Sequence, residues 1–147
     1  MRILLLHSNY IEFQAIKKEI TTAEDSDTDL KRFDDLVVLF TCIEKGDNDS
    51  TIENAVTIIK NSLNTLKVSR ILVYPYAHLS KDLPKPSVAF EILTSFKNSL
   101  IHNKLDVNSS PFGWNKTFTL SVKGHPLAEQ LKIIRSDTVE ETISKAL

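Results

Sequence analysis

Cysteine is almost absent from this chain: Cys42 stands alone among 147 residues. One thiol cannot close a bridge within the chain, so a disulfide scaffold is excluded, and thiolate zinc modules, whose ligands come in sets, go with it. Glycine is nearly as scarce. Gly46, Gly113 and Gly124 are far apart and match neither of the glycine spacings that cradle phosphates. None of the four histidines has a neighbour at a ligand spacing such as His-x-x-x-His, which argues against a metal centre. No stretch approaches the roughly 18 consecutive apolar residues of a membrane helix. The opening run Met1 to His7 is too short for a signal core and lacks a small-residue cleavage site, so a cytoplasmic setting with a reduced thiol is expected. A charge excess is missing too: 18 basic against 19 acidic residues leave a net charge of -1. That balance argues against an indiscriminate nucleic-acid binder, although a local patch could still hold RNA.

What is present fits one soluble domain able to bury a real core, with 41% hydrophobic residues. Ile3 to Leu6 and Leu36 to Ile43 are apolar without alternation, the pattern of strands covered on both faces. Between them, Glu12 to Ile20 has weak helical character, and Thr21 to Asp29 reads as a solvated acidic loop. Glu44 to Ser50 is a turn, after which Thr51 caps a helix whose apolar residues Ile52, Ala55, Val56, Ile59, Leu63 and Leu66 share one face. Ile71 to Tyr74 predicts a strand stopped by Pro75, and Ser87 a cap for a second helix. Leu105 to Asn108 and the alternating stretch Lys116 to Lys123 predict further strands, with Leu131 to Ile134 the last. The fold class is α/β, a single sheet with packed helices.

Few residues stand out for chemistry. Lys116 shares strand parity with Phe118, Leu120 and Val122, so its stem starts on the apolar side of the sheet. Pattern alone favours a lysine that snorkels at the strand end over one held in a cleft. His78 follows the third strand, where ligands gather in α/β folds, though a hydrogen-bonded surface histidine suffices as an account. His7 is a second candidate at a strand end, and His125 between Gly124 and Pro126 fits a helix entry. Glu129 falls one turn after Pro126 on a possible short helix, and Glu44 with Lys45 reads as a surface pair. Cys42, inside an apolar strand, fits a buried inert thiol. Trp114 after Gly113 suits either base stacking or packing beside a turn.

Several segments in order resemble the N-terminal editing domain of archaeal threonyl-tRNA synthetase. They are Met1 to Tyr10, Glu44-Lys45, Val73-Tyr74-Pro75-Tyr76-Ala77-His78-Leu79-Ser80, Lys85-Pro86-Ser87-Val88-Ala89, Pro111-Phe112-Gly113-Trp114-Asn115-Lys116 and Lys123-Gly124-His125-Pro126-Leu127-Ala128-Glu129. The resemblance implies a D-aminoacyl-tRNA deacylase-like fold that pairs into a homodimer. It implies hydrolysis of the ester joining serine to the terminal adenosine of tRNA(Thr), with help from the RNA's own 2'-hydroxyl. Lys116 and His78 would then sit at the reacting end, while Ile43, Pro75, Ala77 and Phe112 line the pocket and Glu44 and Glu129 help hold the substrate. Many relatives carry an aromatic residue just before the lysine; this chain has Asn115.

On this resemblance residues 1–147 are one editing domain, the N-terminal part of a longer synthetase. The partner is the aminoacylated 3' end of tRNA(Thr), with neither membrane nor DNA involved. No cofactor or metal is expected in the domain; ATP, Mg and Zn would belong to the rest of the synthetase. The chemistry of the task agrees, because a synthetic site separates serine from threonine by only about 1–3 kcal/mol and so needs a second, size-excluding site. A free-standing D-aminoacyl-tRNA deacylase and a non-catalytic tRNA-binding or dimerisation module stay open as alternatives.

Overall fold

A computed structural model describes residues 1–138 and the strand backbone of 142–144. Its elements are β1 (Arg2–Lys18), β2 (Lys31–Cys42), α1 (Asp49–Leu66), β3 (Arg70–Pro75), a 3-10 turn (Ala77–Leu79), α2 (Pro86–His102), β4 (Asp106–Ser109), β5 (Trp114–Val122), β6 (Glu129–Ile133) and β7 (Thr142–Ser144). They form one mixed sheet in the order β4-β3-β2-β1-β6-β7, with β5 also paired to β1. β2, β3 and β4 run parallel, and the pairs that involve β1 are antiparallel. The expected α/β class with a sheet and packed helices is the one observed.

β1 extends far beyond the predicted Ile3–Leu6, and the helical reading of Glu12 to Ile20 is wrong: most of that segment is strand. Ile11, Phe13 and Ala15 are buried while the residues between them are not, a period of two that carries the strand onward. The periodicity is masked because the strand changes face midway. Pairing with β2 is interrupted at Asn9 and Asp35, between Ser8↔Leu36 and Tyr10↔Asp34, and Asp35 adopts φ 49°. Ile3 and Leu5 therefore face the helices, whereas Ile11 and Phe13 face the opposite side. One irregularity of this kind reverses the meaning of every later position.

β1 also divides its outer edge. Arg2 to Leu6 pair with β6, and Ser8 to Lys18 pair with β5. His7 sits at the handover, donating its backbone N–H to the Ala128 carbonyl and accepting at its own carbonyl from Lys123 N–H. This open edge corrects the reading of Glu129, which begins β6 rather than standing on a helix.

Both helices cover one face. Ala55, Ile59 and Leu63 of α1 and Leu93, Phe96 and Leu100 of α2 pack on Ile3, Leu5, Val37, Leu39, Ile71 and Val73. Their starts differ from expectation. Asn48 caps α1 in a reciprocal box with Thr51, which is thus the third helical residue, and α2 begins at Pro86 with no side-chain cap. On the other face, Phe40, Leu72 and Tyr74 meet Leu120 and Val122. Phe118 is paired with Phe13 on β1, yet its ring lies 5.5 Å from Phe40 and 5.6 Å from Tyr74, so β5 curls back over the sheet.

Candidate active site

The two parallel strands β2 and β3 end side by side, and a cavity of about 240 Å³ opens just beyond them. Thr41, Cys42 and Ile43 leave β2 into its wall; Pro75, Tyr76 and Ala77 do so from β3. Ala89 and Leu93 of α2 close one side, and the turn Phe112–Trp114 with Lys116 closes the other. Ligands commonly bind outside the carboxyl ends of parallel strands, where loops diverge. The proline at the end of β3 makes this wall stiff, because its ring fixes φ.

Lys116 is the one cation lining the cavity among the described residues. Strand parity places it beside the aromatic cluster, with Nζ 4.6 Å from the centre of the Tyr74 ring. Nζ donates to the Pro111 carbonyl at 2.6 Å. Burial lowers its pKa from 10.5 to about 8, with Glu24 and Glu19 opposing that fall. An ammonium has three donors, so two stay available to a ligand.

The turn facing Lys116 depends on a glycine. Gly113 has φ +82°, and a Cβ there would come within 2.9 Å of Ile20 Cγ1 and 3.0 Å of Ala23 Cα and Cβ. Its carbonyl accepts Glu19 N–H at 2.8 Å. Trp114 Nε1 donates to the Glu24 carbonyl at 2.7 Å, which favours the packing reading of that indole. Cys42 Sγ lies 3.7 Å from the Ala77 carbonyl, and burial raises its pKa, as befits an unreactive thiol.

The sequence-derived residues do not all meet here. Ile43, Pro75, Ala77, Phe112 and Lys116 line the cavity together. His78 and Glu44 line a separate polar basin on the other side of the 3-10 turn, with Arg2, Ser80 and Asp82. His78 is exposed, its ring 5.1 Å from that of Tyr76, which lines the cavity. Glu44 is no simple partner of Lys45: it accepts from Ser80 Oγ at 2.6 Å and faces the Met1 amine and Arg2. Burial works to raise its pKa, but the hydrogen bonds from Ser80 and the Met1 amine prevail and hold the carboxyl below its ordinary value. Asn115 and Glu129 are exposed and line neither depression. His125 enters no helix; its Nε2 lies 2.8 Å from His7 Nδ1.

The basin is larger than the cavity, about 900 Å³, but its lining is dominated by charged and polar residues of both signs. Sequence reasoning missed Glu24, Tyr74 and Tyr76. Tyr74 and Tyr76 lie inside the Val73–Ser80 segment without a signal of their own, and Glu24 carries no periodic signal at all. No group of three or more metal-ligating side chains occurs among the described residues. No helix among them is long and apolar enough to cross a membrane.

A cavity at parallel strand ends, lined by the exits of β2 and β3 and holding one partly desolvated ammonium, defines an α/β domain with a ligand site outside the carboxyl ends of its strands. The chain belongs to the archaea-specific editing domain family of threonyl-tRNA synthetase, whose model matches residues 1–134. It is 43% identical over 152 residues to the threonine–tRNA ligase of Nitrosopumilus maritimus, a match covering 100% of this chain and 24% of that one. To the corresponding ligases of Cenarchaeum symbiosum and Methanococcus maripaludis it is 42% identical, over 100% and 96% of its own length and 23% of theirs. The chain thus spans about a quarter of the length of the curated relatives it matches. Among solved structures, one titled c-Myc DNA Unwinding Element Binding Protein superposes with a TM-score of 0.66 over 89% of this chain and 97% of that one. At 10% identity that likeness concerns the fold alone. Family membership makes this an editing domain, with proofreading of charged tRNA as its role.

Proposed function

We propose that this domain hydrolyses the ester joining L-serine to the 3'-terminal adenosine of tRNA(Thr). The observation that carries the reading is Lys116: an ammonium with two free donors, in a cavity whose opposite wall is the rigid Pro75–Ala77 segment. A seryl ester enters with its carbonyl oxygen toward Nζ. As water adds to the carbonyl carbon, negative charge grows on that oxygen, and the nearby ammonium stabilises it more than it stabilises the neutral ester. The RNA's 2'-hydroxyl assists the water, the ester C–O bond breaks, and serine and a free 3'-hydroxyl leave. Cys42 is protonated and committed to packing, and no protein nucleophile is assigned to the step.

Discrimination falls to the walls. Threonine differs from serine by one methyl, and backbone beside a proline yields little to an extra carbon. His78 orients the ribose from the rim, with the Tyr76 ring between it and the cavity, and the incoming RNA strand passes over the polar basin that contains Glu44. Asn115 and Glu129, exposed outside both depressions, serve contacts to RNA beyond the acyl group. We also propose that two copies pair. β5 is bonded only to β1 among the described residues, and Phe118 on it is 43% exposed, the kind of open edge that a second copy can cover.

Lys116→Met tests the assignment. The variant is expected to lose deacylation of seryl-tRNA(Thr) by at least about a hundredfold, as removal of an oxyanion donor does elsewhere, while staying folded. Retained activity sinks the role of Lys116. A substrate ending in 2'-deoxyadenosine should also react far more slowly, and equal rates would remove the ribose hydroxyl from the mechanism.

A further inference from the structure

Glu24 lies in the acidic connection between β1 and β2, whose composition reads as solvated surface, yet it grips the wall of the cavity at three points. Its Oε1 accepts Phe112 N–H at 3.0 Å. Its backbone carbonyl accepts Trp114 Nε1–H at 2.7 Å, and its backbone N–H donates to the Phe112 carbonyl at 3.0 Å. Two of these contacts are main-chain and would survive a change of side chain. The carboxylate contact would not.

The turn held in this way begins at Pro111, whose carbonyl receives the Lys116 ammonium. Phe112 and Trp114, the two residues that Glu24 holds, both line the cavity. We infer that Glu24 is a positioning residue for Lys116: its carboxylate fixes the Pro111–Trp114 turn and supplies the negative charge that the buried ammonium faces. The inference rests on the reading of Lys116 as the group that stabilises the reacting ester.

Other groups around Lys116 do not replace it. Glu19, from the same connection, acts in the same direction but with the smaller effect of the two. From β3 comes the neutral Tyr74 ring, from β2 the protonated Cys42 thiol, and from α2 the uncharged Pro86, Ala89 and Leu93. Burial drives the ammonium toward losing its proton, so a carboxylate held nearby keeps it charged over the working pH range.

Two variants separate the two duties. Glu24→Gln keeps an oxygen that can accept Phe112 N–H but removes the charge; Glu24→Ala removes both. The Lys116 titration is read directly from its side-chain carbon resonance by NMR, and deacylation of seryl-tRNA(Thr) is followed against pH in parallel. In Glu24→Gln the Lys116 midpoint should fall by about half a unit, so that deacylation drops about twofold at pH 8 and stays near wild type at pH 6.5. In Glu24→Ala, kcat should fall about tenfold at pH 6.5, as loss of a hydrogen bond to a charged group implies, and about twofold further at pH 8, with Gln restoring the tenfold part. A merely structural Glu24 would lower stability without moving the Lys116 midpoint. An unchanged midpoint in Glu24→Gln overturns the electrostatic duty, and wild-type kcat in Glu24→Ala overturns the positioning duty. Should the wild-type domain fail to deacylate seryl-tRNA, the proposed function falls, while the NMR titration still decides the place of Glu24.

Discussion

Lys116 sits with one ammonium proton committed to the Pro111 carbonyl and its charge over the Tyr74 ring. Its pKa of about 8 lies below the ordinary 10.5, so between those values the unfolded chain binds a proton that the folded one does not. Holding the lysine charged at neutral pH therefore costs stability, and Lys116→Met should melt no lower than wild type at pH 7 even as activity disappears. His7 also has a lowered pKa and shows the same slope at a different pH. His125 Nδ1 accepts Leu127 N–H, so its Nε2 carries the proton that reaches His7 Nδ1. Burial, then the charges of His125 and Lys123, push His7 below 6.5. The neutral ring is thus the form that the fold prefers; its contribution is present above pH 6.5 and is lost as pH falls through the lowered value. The difference in melting temperature between wild type and His7→Gln should shrink from pH 7.5 to pH 5. A difference independent of pH would contradict this account of the pair.

The turn Pro111–Gly113 joins two elements whose sequences say nothing of each other. Gly113→Ala would place a side chain at φ +82° against the Ala23 backbone, and should cost about 2 kcal/mol of stability along with most of the deacylation activity. Urea unfolding and a deacylation assay check both, and a variant equal to wild type in each would refute the packing described. At this scale the sequence was unevenly legible. β2 and β3 announce themselves as continuous apolar runs because, as central strands, they are covered on both faces. The second half of β1 was hidden because the interruption at Asn9 and Asp35 inverts its alternation, whereas β6 was legible as Leu131 to Ile134 and only its start at Glu129 was missed. Pro75, Ala77 and Phe112 could be named in advance only through resemblance to a family, and Lys116, singled out by its strand parity, gained its role only there. Glu24 could not be named at all, since its partner lies 88 residues away in a turn that becomes a neighbour only after folding.

Across the whole molecule, the site lies where the two cores meet. The helix-covered core ends at Ile43 and Phe112, the aromatic core ends at Tyr74, and the cavity occupies the seam between them beyond β2 and β3. A seam of this kind can be rigid on every side, which a sieve for one methyl group requires. The balanced net charge of -1 and the small cavity both agree with the proposed hydrolysis at the acylated end of a tRNA, which needs no extended basic surface. The most direct test of this account is a deacylation assay with seryl-tRNA(Thr) and threonyl-tRNA(Thr) side by side on the wild-type domain. It predicts rapid release of serine and a rate on the threonyl ester close to that without protein. Equal hydrolysis of the two esters, or none of either, would contradict it.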